Sequence, residues 1–176
     1  MNTPQRFFSG TGAPPAPIDV DHNLLVESLI QALETMAFLS ADPPDDHPIP
    51  PGAGTPFRVS VSFHGPFRGM LQLDAPLALG ETLATILFCG DPSDPEMAMH
   101  AEDSLSELGN VTCGLLLRKL SVLHGGHFEL QVPKWAPEPA SPDWNDLTAI
   151  PGTVALRVEG LPLLARVTEC PTTGAF

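Results

Sequence analysis

Glu107 and Asn110 stand three positions apart in the stretch A-E-D-S-L-S-E-L-G-N-V-T-C-G-L-L-L-R-K-L-S-V-L-H, which runs from Ala101 to His124. A carboxylate can pair with a cation on a partner. A neutral amide donates and accepts hydrogen bonds at once, so it can orient a water without ionising. Asp103 lies four positions before Glu107, and Gly114 four positions after Asn110. An acid and an amide on one rigid support, facing one way, suit anchoring and water-positioning chemistry.

The support is a helix over Ala101–His124, about six turns at 3.6 residues per turn. Leu105, Leu108, Leu115, Leu116 and Leu123 fall on one side, as an amphipathic helix requires. Asp103, Glu107, Asn110 and Gly114 lie on the other, at about 0°, 40°, −20° and 20° around the axis for a rotation of ~100° per residue. A glycine inside a helix costs up to about 1 kcal/mol relative to alanine. Gly114 is therefore expected to be offset by close approach of another element or another protein. The plainer reading of the stripe is a solvated helix face.

The flanking chain supplies the other elements. Residues 1–18, with Pro4, Pro14, Pro15 and Pro17, read as a flexible tail. One domain is expected over 19–176. Asp19 or Asp21 offers an N-cap for a helix over Leu24–Leu39, whose Leu25, Leu29, Ala32, Met36 and Leu39 keep the helical period. Residues 42–56 form a Pro-rich acidic connector. Phe57, Val59, Val61 and Phe63 alternate with Arg58, Ser60 and Ser62 as a half-buried strand, and Gly69–Asp74 returns beside it. Leu79–Phe88 reads as a second helix, closed by Gly90, Asp91 and Pro92, and Asp91–Met99 as a loop. Gly125 and Gly126 stop the long helix, and His127–Val132 alternates as a third strand with Phe128, Leu130 and Val132 inward. Residues 133–151 form a second Pro-rich loop that packs back through Trp135 and Trp144. Two further strands meet near Gly160. Neighbouring strands joined by hairpins, with helices between, predict an α+β domain: an antiparallel sheet with long helices packed on it.

Composition removes whole classes of function. The chain has 176 residues, 43% of them hydrophobic, enough for one real core. Its net charge is −13 with eight basic residues, and its pI is near 4.5 with mean hydropathy +0.09. Nucleic acid and anionic membrane surfaces both require clustered Lys and Arg, so neither is expected as a partner. Cys89, Cys113 and Cys170 show no disulfide or zinc spacing, which suits a reducing cytoplasm. The opening M-N-T-P-Q-R-F-F-S-G has no apolar signal region.

Other constellations are weaker. His124 and His127 enclose two glycines that read as a helix stop, and a pair falls short of the three or four ligands of a zinc site. Asp42, Asp45, Asp46 and His47 lack the EF-hand spacing. No nucleophile–base pair is evident, which disfavours an autonomous small-molecule hydrolase. No metal site is expected.

Asp103-x3-Glu107-x2-Asn110, followed by Pro133, resembles the signature of the CheC/CheX chemotaxis phosphatases. The text E-L-G-N-V-T-C-G from Glu107 to Gly114 is similar to the corresponding segment of the CheC branch. The resemblance implies a CheX-like domain with one active-site helix. Its substrate would be the aspartyl phosphate of a CheY-like response regulator. Glu107 and Asn110 would be catalytic: Asn110 would align the attacking water, and Glu107 would bond the receiver's lysine. Asp103, Gly114 and Pro133 would support the motif. Phosphoryl transfer suits such a pair, because it needs an in-line water, charge neutralisation and fixed geometry more than covalent help. The Mg²⁺ would belong to the partner receiver, with no cofactor on this chain. The resemblance leaves a homodimer open. The alternative is a non-catalytic interaction module that docks on a receiver domain or a motor component.

Overall fold

A computed structural model describes residues 20–43, 54–131 and 143–169. They form α1 (His22–Ala37), β1 (Ala41–Asp42), β2 (Pro56–His64), β3 (Gly69–Pro76), α2 (Leu77–Leu87) and α3 (Pro95–Met99). Then follow α4 (Ala101–His124), β4 (Glu129–Leu130), α5 (Trp144–Thr148), β5 (Val154–Val158) and β6 (Leu161–Glu169). One six-stranded sheet has the order β1-β5-β6-β3-β2-β4. Every pairing in it is antiparallel, as the α+β expectation requires.

Alternation builds the inner face of the sheet. Val59 faces Leu73 and Val61 faces Leu71 across β2 and β3. Val167 and Ala165 continue those rows on β6; on β5 Val154 extends the Ala165 row, and Leu156 faces Leu163 beside it. Successive side chains point to opposite faces of a strand, so these residues share one side. All are buried, and they join Leu25, Leu29 and Leu33 of α1 and Leu79 and Leu83 of α2 in one core.

Helix α4 is the hub of that core, packed against α1, α2, β2 and β3. It buries Leu105, Leu108, Leu116 and Leu120, each contributing roughly 1.5–3 kcal/mol of transfer free energy. Gly109 lets the helix approach the sheet closely. A Cβ there would stand 2.9 Å from Val59 Cγ1 and 3.3 Å from Val61 Cγ2. Gly125 and Gly126 end the helix at φ 68° and 87°, as their sequence predicts.

The opposite face of the sheet carries charge. Asp74 accepts from Arg58 Nε at 2.7 Å and from Arg166 Nη1 at 2.9 Å. Beside this cluster, Trp144 and Leu147 of α5 cover Leu164 and Ala155. The Trp144 indole N–H donates to the Gly54 carbonyl at 2.7 Å, so this tryptophan packs back as expected. Trp135 lies outside the described residues.

Several expectations are corrected. Leu123 is 62% exposed, because α4 runs past the layer that covers it: Val122 and His124 beside it are exposed too. Leu115 is only half-buried. The expected loop over Asp91–Met99 contains α3, whose Asp94 side chain accepts from Glu96 N at 2.9 Å; five residues are too few to show a period. The connector over 42–56 begins inside β1, which pairs Ala41 with Val158, and residues 44–53 of it lie outside the described residues. The third strand shrinks to Glu129–Leu130, and Leu130 on this edge is 43% exposed. Val132, and the tail over 1–18, also lie outside the described residues. Among the described residues, no helix is long and apolar enough to cross a membrane.

Candidate functional site

The packing of α4 decides what its outer stripe presents. With Leu105, Leu108, Gly109 and Leu116 held against the sheet and helices, Asp103 and Glu107 are exposed, and Asn110 and Gly114 half-buried. The four therefore share one accessible face, as their spacing predicts. Asn110 Nδ2 donates to Glu107 Oε2 at 3.4 Å. That is a long hydrogen bond, and it engages neither the amide oxygen of Asn110 nor the second carboxylate oxygen of Glu107.

The face is electrostatically primed for a cation. Glu102 and Asp103 lie in the first turn of α4, where the helix dipole favours negative charge. Asp103 and Glu107 are like charges at i and i+4, an arrangement that costs roughly 0.2–0.5 kcal/mol in an isolated helix. A cation arriving from a partner relieves that repulsion.

Gly114 departs from its expected role within the chain. A Cβ there would meet only Leu130 Cδ1, at 3.8 Å, an ordinary contact. Within α4 the glycine that the packing requires is Gly109, which carries no expectation in the stripe. Its signal was its place within the apolar side of the helix, between Leu105 and Leu116. Pro133 lies outside the described residues.

Cys113 is fully buried on the core side of α4. Burial pushes its thiol up from 9.0 to about 12, because desolvation penalises the thiolate. A raised folded pKa stabilises the fold below pH 9.0, and that contribution fades as pH rises towards 12. In the native protein iodoacetamide is expected to label exposed Cys89 and spare Cys113. Peptide mapping that finds Cys113 alkylated as fast as Cys89 would contradict this burial.

The histidine that ends α4 packs on an aromatic ring, and His127 is exposed. The His124 ring meets Phe67 edge-on at 5.8 Å. Among the described residues, no group of three or more His, Cys, Asp or Glu is placed to hold a metal ion. Asp45, Asp46 and His47 lie outside the described residues.

Residues 57–137, which include all of α4, match the family described as chemotaxis phosphatase CheX. No curated protein matches the chain. The fold is similar to that of a chain in the CheX-CheY-BeF3-Mg²⁺ complex from Borrelia burgdorferi, at 19% identity and TM-score 0.54, covering 83% of this chain and 95% of that one. A CheX protein from Desulfovibrio desulfuricans shares 11% identity at TM-score 0.62, over 86% of this chain and 100% of its own. A CheC-like superfamily protein from Shewanella sp. PV-4 shares 18% identity at TM-score 0.56, over 88% and 100%. At such identities these structures attest the fold alone. The segment that holds α4 and both candidate residues is thus the part of the chain that resembles the family described as chemotaxis phosphatase CheX.

Proposed function

We propose that this chain hydrolyses the aspartyl phosphate of a CheY-like receiver domain, with Asn110 and Glu107 as its catalytic residues. The observation that carries the reading is the Glu107–Asn110 pair, in contact at 3.4 Å on the accessible face of a helix whose other side is locked in the core. The match of this segment to the CheX family suggests the substrate class, and a solved structural relative is a complex of CheX with CheY, BeF3 and Mg²⁺.

In this mechanism the helix docks over the receiver's phosphorylation site. The Asn110 amide reaches the water and holds it in line with the phosphorus, accepting from it through Oδ1 while Nδ2 stays tied to Glu107. Fixing a reactant in place can lower a barrier by several kcal/mol, up to about 7–11 in ideal intramolecular cases. Glu107 pairs with a lysine of the receiver. Mg²⁺ held by the receiver neutralises charge on the phosphoryl oxygens. Asp103 adds negative potential one turn before the pair.

The deciding experiment incubates the chain with a panel of phosphorylated receiver domains from the same genome and follows phosphate release. Faster release from at least one receiver, abolished by EDTA, is expected. Binding without any acceleration would favour the docking module over the phosphatase.

A second expectation separates anchoring from chemistry. Removing one partner of a desolvated interface ion pair costs about 2–5 kcal/mol, against 1 kcal/mol or less for a surface pair. Glu107→Ala should therefore weaken receiver binding as well as turnover. Calorimetric titration that returns the same affinity for both proteins would remove Glu107 from the interface.

A further inference from the structure

The chain has only eight basic residues, and most of those described are engaged internally. Arg58 and Arg166 hold Asp74. Lys119 Nζ lies 3.2 Å from Glu27 Oε2. Arg118 differs. Its neighbours one turn away along α4 are Gly114, Leu115, Ser121 and Val122, none of them acidic. Its side chain is exposed, and among the described residues it makes no hydrogen bond or ion pair.

Its position joins it to the candidate site. At ~100° per residue, Glu107, Asn110, Gly114 and Arg118 fall within an arc of about 80°. Glu107 and Arg118 are about 16 Å apart along the axis, from a rise of 1.5 Å per residue. Between them Gly114 offers bare helix backbone, edged by Leu130, which is 43% exposed. From its N-terminal end the face reads carboxylate, amide, bare turn, guanidinium.

We propose that Arg118 is a second anchor, which pairs with a carboxylate on the docked receiver and so fixes the direction in which that partner lies along α4. This rests on the receiver-docking reading above. A guanidinium presents a planar fork that a carboxylate fills with two parallel hydrogen bonds. A partner with a cation opposite Glu107 and a carboxylate opposite Arg118 meets opposite charge at both ends. The same partner turned end for end meets like charge at both, which the interface rejects. Gly114 leaves the middle of the face low enough for the two ends to engage together. Arg118 is thus a positioning residue that selects among receivers by the charge pattern beside their phosphorylation site.

The test uses the whole chain as wild type, R118E and R118K, with receiver domains from the same genome that it dephosphorylates or binds. Turnover is measured on phosphorylated receivers, and affinity on receivers loaded with Mg²⁺ and beryllofluoride. At low ionic strength R118E is expected to raise KM about threefold or more and to weaken affinity in parallel, with kcat within about twofold. R118K keeps the charge and loses the fork, so its affinity is expected to fall between those of wild type and R118E. The gap between wild type and R118E narrows as salt rises to about 0.5 M, where exposed charge pairs are screened. Equal KM and equal affinity for wild type and R118E at low salt would overturn the anchor and leave the phosphatase reading standing. A wild type that neither binds nor dephosphorylates any receiver would overturn both.

Discussion

Asn110→Ala is expected to lower single-turnover dephosphorylation of a bound receiver by about two to three orders of magnitude, the range seen when one pre-positioned hydrogen-bonding group is removed from a reacting centre. The methyl group left behind can neither accept from the water nor tie itself to Glu107. Nothing else on the accessible stripe replaces it, because Gly114 one turn on has no side chain and Asp103 lies two turns back. Stability should hardly change. Asn110 is half-buried and its side-chain hydrogen bond to Glu107 is long, 3.4 Å, so a shift within about 0.5 kcal/mol is expected. Binding should survive as well, because Glu107 stays. Unchanged turnover in the variant at saturating protein would sink the assignment of Asn110, whatever the binding data show.

Asp74→Ala should produce the largest loss of stability of any single change considered for this chain. Asp74 is 1% exposed and sits between Arg58 and Arg166, with Arg166 itself 4% exposed. Removing the acid takes away the carboxylate that faces both guanidinium groups within the outer layer of the sheet. Breaking a buried pair in this way costs about 3–5 kcal/mol, because the guanidinium groups left behind lose the carboxylate that offset their desolvation. At roughly 2–4 °C per kcal/mol for a domain of this size, the melting temperature should fall by about 10 °C. The cluster lies across the sheet from α4, since Asp74 alternates with Leu73, whose Cδ1 faces Gly109. Folded Asp74→Ala protein at low temperature should therefore retain receiver turnover. A melting temperature within a degree of wild type would show that the three side chains contribute nothing net to the fold.

The two predictions describe a division of labour across one sheet. Its inner face supports α4, and α4 presents the acid, the amide and the arginine. Its outer face closes with the Asp74 cluster and the Trp144–Leu147–Leu164 contact. Rigidity of the support matters for the chemistry proposed, because an amide that must hold one water in line is effective only if its own position is fixed.

The limits of α4 were legible from residue order, Ala101–His124 in both readings. A helix of this length shows its period several times over, and two glycines mark its end. The hairpin strands β2 with β3 and β5 with β6 were legible for the same reason, since alternation and the turn between them are local. So was the stripe of Asp103, Glu107, Asn110 and Gly114, because neighbours three and four apart on a helix must share a face. What residue order could not settle was contact between distant segments. β1 exists only because Ala41 meets Val158. Leu123 has the period of a core residue, yet no layer reaches it. Gly109 falls on the apolar side of α4 and Gly114 on the polar stripe, but only the sheet beneath the helix shows that the first is pressed on Val59. Arg166 and Asp74, 92 positions apart, become partners only when β6 pairs with β3. Short-range spacing fixes which way a side chain points, whereas burial and charge pairing depend on what the rest of the chain brings to that side.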